Sequence, residues 1–169
     1  WWSVLTCGQG SPYADAFDID WAAGGGRLRL PVIGDEDQET RGGPIANLTV
    51  EGGLLRYHDV AFPLAPGSAD DIGEPGVDAD VVHARQHYEL IGWRMADAGL
   101  NYRRFFAVNS LAAVRVEDPE WFAKTHAAIE QWFGDGQVQG LRVDHPDGLR
   151  DPGGYLDDTL RAHGYTRHV

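Results

Sequence analysis

The chain has 169 residues, enough for one domain with a hydrophobic core, and carries a formal net charge of −12 from 26 acidic and 14 basic side chains. An acidic surface without a basic stripe repels phosphate backbones, so we expect no nucleic-acid partner. No stretch approaches the roughly 20 apolar residues of a membrane span, and no signal-peptide pattern opens the chain, so we expect no membrane partner either.

Cysteine usage and the first residue bear on the setting of the chain. The single cysteine, Cys7, excludes an internal disulfide and is compatible with a reducing compartment, so we expect a cytoplasmic protein. The chain begins at Trp1 and its one methionine is Met95, so we expect a piece of a longer protein.

Residues 1–21 predict an irregular loop with short helical turns. Ser11 and Pro12 suit the cap and the first position of a helix, so we expect a helix to begin there. Asp18 and Asp20 could ligate a metal or accept hydrogen bonds within the loop. No further oxygen ligands cluster in that stretch, which favours the hydrogen-bonding role.

A β-rich region follows. Residues 27–33 alternate apolar and polar side chains, which predicts a strand. Residues 45–50 and 54–60 alternate in the same way on either side of Glu51-Gly52-Gly53, which predicts a β-hairpin.

Residues 80–98 carry apolar side chains at helical spacing and are followed by Gly99, which predicts a helix that ends there. His83 and His87 would lie on one face of this helix, four residues apart. A zinc site needs at least a third ligand, and none is near in sequence, so we expect no bound metal.

The C-terminal part predicts a helix, a strand and a second helix. Asp118 and Pro119 suit a cap and a first helical position, so we expect a helix from there to about Phe133. Residues 138–143 alternate as a strand does, and Asp151-Pro152 restarts a helix that runs to about His163. Such an α–β–α succession is typical of a parallel α/β sheet or barrel.

Arg142 and Asp144 are the candidate site at the end of that predicted strand. Two residues apart on a strand, their side chains face the same way. The guanidinium favours an ionised carboxylate, and an ionised, oriented Asp is what a nucleophile attacking an anomeric carbon requires. The alternative is a purely structural ion pair at a strand end.

The string Tyr102-Arg103-Arg104-Phe105-Phe106 is the second candidate site. Adjacent arginines bracketed by aromatic rings offer planar donors and stacking faces, which suits a sugar-binding cleft. An arginine–acid network that supports the surrounding structure fits the same residues equally well. No spacing argument separates the two interpretations.

A family resemblance supports the sugar chemistry. Gly-Leu-Arg-Val-Asp-His at residues 140–145 resembles the strand-four motif of the α-amylase superfamily, in which the Asp is the glycosyl nucleophile. Its continuation through Pro146 to Leu149, with Asp151-Pro152 and residues 154–156, resembles the maltooligosyl trehalose synthases. Further stretches similar to that family are residues 1–5, 11–14, 17–21, 55–57, 62–67, 86–88, 93–94, 100–106, 108–109 and 111–117.

The resemblance implies an α/β fold, namely a fragment of a (β/α)8 TIM barrel with a small inserted β-rich subdomain. Residues 1–110 would be the subdomain inserted after barrel strand three. Residues 111–169 would be a barrel segment made of a helix, strand four and the following helix. The family often has Asp where this chain has Ala107, which weakens a contact role at that position.

The resemblance also implies a function: conversion of the reducing-end α-1,4 linkage of a maltooligosaccharide into the α,α-1,1 linkage of trehalose, by transglycosylation within one molecule. Asp144 would be the nucleophile. The residues that would contact the glucan are Arg142, His145, Tyr102, Arg103 and Arg104. No metal or cofactor is implied. The acid/base Glu and a third Asp would lie outside the chain, so we expect the isolated chain to be inactive. An α-amylase-type hydrolase and a non-catalytic α-glucan-binding barrel are the alternatives.

Overall fold

The computed structural model describes residues 1–37 and 43–162, with only the helical backbone described for 160–162. The fold is mixed α/β. Its helices and strands, in chain order, are α1 Trp2–Cys7, β1 Leu28–Ile33, β2 Leu48–Glu51, β3 Leu54–Tyr57, β4 Val60–Pro63, α2 Ala79–Ala84, β5 Tyr88–Gly92, α3 Ala96–Gly99, α4 Pro119–Gly134 and α5 Pro152–Ala162. None of the helices in these described ranges is long and apolar enough to span a membrane.

A parallel strand pair forms the centre of the molecule. β1 pairs with β5, with Leu28 opposite Tyr88 and Leu30 opposite Leu90. These four side chains are almost completely buried, because a parallel pair is covered on both faces. The prediction of a strand at 27–33 is therefore confirmed.

The predicted hairpin is also confirmed, with a third strand added. β2 and β3 pair antiparallel across Gly52 and Gly53, which have φ values of 59° and 74°. Two successive positive φ values define the tight turn that matches strand twist, and glycine adopts them without strain. A second turn at His58, with φ 48°, starts β4 where the prediction continued the second strand.

The helix predicted over residues 80–98 is wrong for most of its length. α2 ends at Ala84 and residues 88–92 form strand β5. Tyr88, Leu90 and Ile91 are each at most 1% exposed. A short apolar run of this kind fits both a buried strand and a buried helix, and the neighbouring strand β1 decides in favour of the strand.

The strand predicted over residues 138–143 is not formed either. The described residues place no strand beside this segment, and a strand is held by hydrogen bonds to a neighbour, so the segment is irregular. The expected α–β–α succession thus lacks its strand. The helix predicted from Ser11 is wrong as well: Ser11 Oγ accepts a hydrogen bond from Tyr13 N, and only one 3₁₀ turn, Ala14–Ala16, follows.

Both flanking helices are confirmed. Asp118 caps α4 by accepting hydrogen bonds from the backbone N–H groups of Glu120 and Trp121. This satisfies two of the amides that a helix start leaves without an internal partner. α5 begins at Pro152 as predicted, and the predicted end at His163 lies outside the described residues.

One amide side chain joins three segments of the backbone. Asn101 is 5% exposed, and its Oδ1 accepts from Arg29 N at 3.0 Å. Its Nδ2 donates to the carbonyl oxygens of Asp20 and Arg27, both at 2.9 Å. A Cβ on Gly24 would lie 2.2 Å from this Nδ2, so only glycine fits beside it. The amide therefore holds together β1, the segment after α3, and the loop between α1 and β1, which is called the first loop below.

We predict that Asn101→Asp destabilises the fold by about 2–3 kcal/mol, because the carboxylate has the same shape but faces two carbonyl oxygens without a proton to donate. Urea unfolding measures the effect. Gln131→Glu, which makes the same chemical change on an exposed position of α4, is the control. Equal stability of the two variants would contradict the structural role of the amide.

His83 is a buried base whose charge state matters to stability. Its Nε2 accepts a hydrogen bond from Leu90 N at 2.9 Å. Burial, and secondarily the nearby Arg27 charge, lowers the pKa of His83 to about 4. The imidazole is therefore neutral in the folded protein at neutral pH.

We predict that His83 makes stability fall as the pH drops from 6.5 toward 4. As the pH falls, His83 takes up a proton in the unfolded chain before it does so in the folded protein. Its contribution to the free energy of unfolding is therefore fully present above pH 6.5, the pKa in the unfolded chain, and is lost as the pH falls to about 4, the pKa in the folded protein. About 1.4 kcal/mol per pKa unit gives a loss of about 3 kcal/mol. Urea unfolding of wild type and His83→Gln across this range tests it, since the variant should lack this component. An identical pH slope in both proteins would refute it.

Candidate functional site

Asp144 lies at the rim of an open cleft of about 290 Å³. The residues that line this cleft are Phe105, Val114, Val116, Thr125, His126, Val143, Asp144, His145, Leu149 and Tyr155. Most of the lining is apolar or aromatic, and the side chain of Asp144 is 70% exposed. A sugar ring that packs against the apolar walls of such a cleft can contact the carboxylate at its edge.

Arg142 contacts Asp144 as the sequence predicted. The Nη2 of Arg142 donates to Asp144 Oδ1 at 3.1 Å, so the two side chains do point the same way. The Arg142 side chain is 89% exposed, and it does not line the cleft. Exposed pairs contribute at most about 1 kcal/mol to stability, so this contact adds little to the stability of the fold.

The backbone turns sharply directly after Asp144. His145 has a φ of 52°, in the left-handed region, and Pro146–Gly148 form a 3₁₀ turn. A residue with a side chain adopts this conformation at a cost, and such residues concentrate at functional sites. The His145 ring lies edge to face with Phe106 at 5.9 Å and lines the same cleft as Asp144.

A histidine and a tyrosine close the back of the cleft by joining α4 to α5. His126 is 6% exposed and stacks on Phe122 at 4.1 Å. Its Nδ1 lies 3.0 Å from the Phe122 carbonyl, and its Nε2 lies 2.9 Å from the Tyr155 hydroxyl. Donation from Nδ1 to the carbonyl leaves Nε2 to accept from Tyr155. This pair was not predicted from the sequence, where the four-residue spacing of Phe122 and His126 on the predicted helix was the one available signal.

The three residues predicted from the aromatic–arginine string lie away from this cleft. Tyr102 is 9% exposed and packs on Trp1, with ring centroids 5.2 Å apart. Arg104 contacts Asp97 and Asn109 through its guanidinium. Neither lines the cleft beside Asp144, and their role as glucan contacts stays a prediction.

Arg103 belongs to an ion-pair network. Its Nη2 donates to both carboxylate oxygens of Glu117 at 3.3 Å, and its Nε lies 3.5 Å from Asp18 Oδ2. Arg150 Nη1 contacts the same Asp18 oxygen at 3.0 Å and lies 3.8 Å from Glu117 Oε1. The arginine–acid network that the sequence offered as the alternative is therefore present. Arg150, which was not predicted to take part, joins the turn after Asp144 to the first loop.

The first-loop acids serve as hydrogen-bond acceptors. Asp20 Oδ1 accepts from Ala23 N at 2.9 Å, and Asp18 Oδ2 accepts from Arg150 Nη1 at 3.0 Å and forms an ion pair with Arg103. Within residues 1–37 and 43–162, no group of three or more His, Cys, Asp or Glu side chains is placed to hold a metal ion.

We predict that Arg103→Met lowers stability by about 1–3 kcal/mol, because it leaves the half-buried Glu117 with fewer donors. Arg94→Met, which breaks the exposed pair with Asp35, is the control and should change stability by less than about 1 kcal/mol. Thermal unfolding measures both. Unchanged stability of Arg103→Met, together with weakened glucan binding, would favour the sugar-contact interpretation instead.

Comparison with known proteins bears on the chemistry. No family model matches the chain. Over 156 residues, or 92% of this chain, it is 50% identical to a Mycobacterium tuberculosis protein named as a maltooligosyl trehalose synthase, and this stretch is 19% of that relative. The solved maltooligosyltrehalose synthase from Arthrobacter ramosus is similar with a TM-score of 0.83 and 55% identity, over 97% of this chain and 20% of that one.

A more distant solved structure agrees. The hypothetical maltooligosyl trehalose synthase of Sulfolobus tokodaii is similar with a TM-score of 0.73 and 30% identity, over 96% of this chain and 20% of its own. The chain thus spans about a fifth of the length of the relatives it matches.

Proposed function

We propose that this chain carries the nucleophile of a glucan mutase, because it belongs to the maltooligosyl trehalose synthases and spans about a fifth of such an enzyme. The substrate would be a maltooligosaccharide. The product would be the same chain of sugars ending in an α,α-1,1 linkage. The proposal includes the assignment of residues 1–110 to an inserted subdomain and of 111–169 to a segment of a TIM barrel.

The reaction would use Asp144 twice. Its carboxylate oxygen attacks the anomeric carbon of the penultimate sugar, and the bond to the reducing-end glucose breaks as that glucose's 4-oxygen takes a proton from a general acid outside this chain. The glucose then turns and attacks through its own anomeric hydroxyl, which returns the proton and breaks the ester to Asp144. In a retaining enzyme the two carboxyl groups lie about 5–5.5 Å apart.

The observation that carries the proposal is the placement of Asp144 at the rim of an apolar cleft with Arg142 3.1 Å away. The guanidinium donates a hydrogen bond to one oxygen of the carboxylate. The aromatic and aliphatic walls, among them Phe105, Leu149 and Tyr155, offer apolar surface on which a sugar ring can pack.

An α-amylase-type hydrolase is the second candidate, because it would use the same Arg142 and Asp144. The identity of 50–55% to proteins named as synthases favours the mutase. The two activities differ in their products: water releases a new reducing end, whereas the mutase removes one.

We predict that an Arthrobacter ramosus synthase, with its matching segment replaced by this chain, lowers the reducing-end signal of maltopentaose at unchanged oligosaccharide mass. Asp144→Asn in this chimera should abolish the activity, by about three orders of magnitude or more, because the amide keeps the shape but is not an anionic nucleophile. Asp157→Asn, an exposed position on α5, is the control and should retain activity.

Reducing-end assay and mass spectrometry distinguish the outcomes. Shorter products with more reducing ends would assign the chain to a hydrolase. Full activity of Asp144→Asn would remove this carboxylate from the mechanism. A folded but inactive chimera, beside an active unmodified relative, would reject the proposed function.

A further inference from the structure

We infer that Phe105 and Phe106 form a seat for the turn at residues 145–148, and that Gly148 is a positioning residue which sets the place of Asp144 through that turn. This inference rests on the proposed function of Asp144 as the nucleophile. It assigns a role to the last two residues of the string at 102–106, whose rings support the turn that follows the proposed nucleophile.

There is no room for a side chain at position 148, because the Phe105 and Phe106 rings lie against the backbone there. A Cβ built there would lie 2.5 Å from Phe105 Cε2 and 2.7 Å from Phe106 Cε2. Both distances are below any ordinary carbon–carbon contact, so a side chain there would force the turn and the rings apart. Gly148 is not among the glycines with positive φ, so the close approach and not the backbone conformation demands glycine.

The near side of the turn lies against the same rings. His145 packs edge to face on Phe106, with an interplanar angle of 87°. The Gly148 N–H donates to the His145 carbonyl at 3.1 Å, and Leu149 N donates to the Pro146 carbonyl at 3.0 Å. These bonds make residues 145–149 one compact unit, so a shift at Gly148 moves the residue that directly follows Asp144.

The seat and the far side of the turn are anchored separately. Phe105 N donates to the Leu111 carbonyl at 3.0 Å, and the Phe105 and Phe106 rings contact each other edge to face at 4.6 Å. Beyond the turn, Arg150 contacts Asp18. The turn is thus located by rings on one side and by an ion pair on the other, and Asp144 lies at its entrance.

The experiment compares Gly148→Ala with Gly134→Ala in the active chimera. Gly134 is the control, because it is an exposed glycine at the end of α4, has nothing within 4 Å of a built Cβ and is not among the glycines with positive φ. We expect Gly148→Ala to lower kcat by about 10- to 100-fold with KM changed less than threefold, since a displacement of about 1 Å can cost about 100-fold in rate. Gly134→Ala should retain both.

Hydrogen exchange of the peptide that spans residues 144–150 is the second readout, and it does not depend on activity. The amides of Gly148 and Leu149 should exchange faster in Gly148→Ala than in the wild type or the control. If the wild-type chimera lacks mutase activity, the proposed function fails, and exchange still decides whether the seat locates the turn.

Phe106→Leu is the second variant, in case Gly148→Ala does not fold. Phe106 is 47% exposed, so its ring can be removed without opening the core. We expect the same loss of kcat and the same faster exchange. The inference is overturned if exchange and kcat of Gly148→Ala, or of Phe106→Leu where the first variant is unfolded, equal those of Gly134→Ala.

Discussion

The three hydrogen bonds of the Asn101 side chain fix the part of the molecule on which the candidate site depends. They hold the first loop and β1 against the segment that follows α3. The string from Tyr102 to Phe106 starts at the next residue, so its direction is set by this buried amide. Arg103 then reaches the first loop, and Phe105 and Phe106 lie under the turn after Asp144. The amide thus anchors the start of the five-residue string whose last two rings lie against the turn after Asp144.

The charges around this string are compensated locally although the chain as a whole is strongly acidic. Glu117, 17% exposed, receives contacts from Arg103, Arg115 and Arg150. Removing a carboxylate from water costs several kcal/mol, and a partly buried one persists only when donors surround it. Arg103, one of the residues predicted to contact the glucan, therefore pairs with the protein's own acids, and its role as a glucan contact stays a prediction.

Short sequence patterns predicted correctly the helices, strands and turns that nearby residues stabilise. The cap at Asp118, the paired glycines at Gly52 and Gly53, and the alternation of β1 each lie within a few residues of the element they specify, and all were confirmed. Residues 88–92 were misassigned because their burial depends on β1, about 60 residues earlier. The contact of Arg150 with Asp18, 132 residues apart, has no sequence signal at all. Gly148 was visible as a turn residue, but the two rings that exclude a side chain there are visible only in three dimensions.

Placement of Asp144 through the backbone has a chemical consequence. Among the described residues, the hydrogen-bond donor to its carboxylate is Arg142, on Oδ1. A carboxylate that forms and later breaks an ester, as proposed for Asp144, needs an oxygen lone pair that is not already occupied by donors. A carboxylate held by many hydrogen bonds would be well placed but less able to attack. The left-handed turn at His145 and the close approach of Gly148 to the two rings act on the main chain beside Asp144 and add no donor to its carboxylate. For the role proposed for Asp144, placement by glycine, ring packing and backbone conformation has the advantage that none of these contacts competes with a sugar for the carboxylate oxygens.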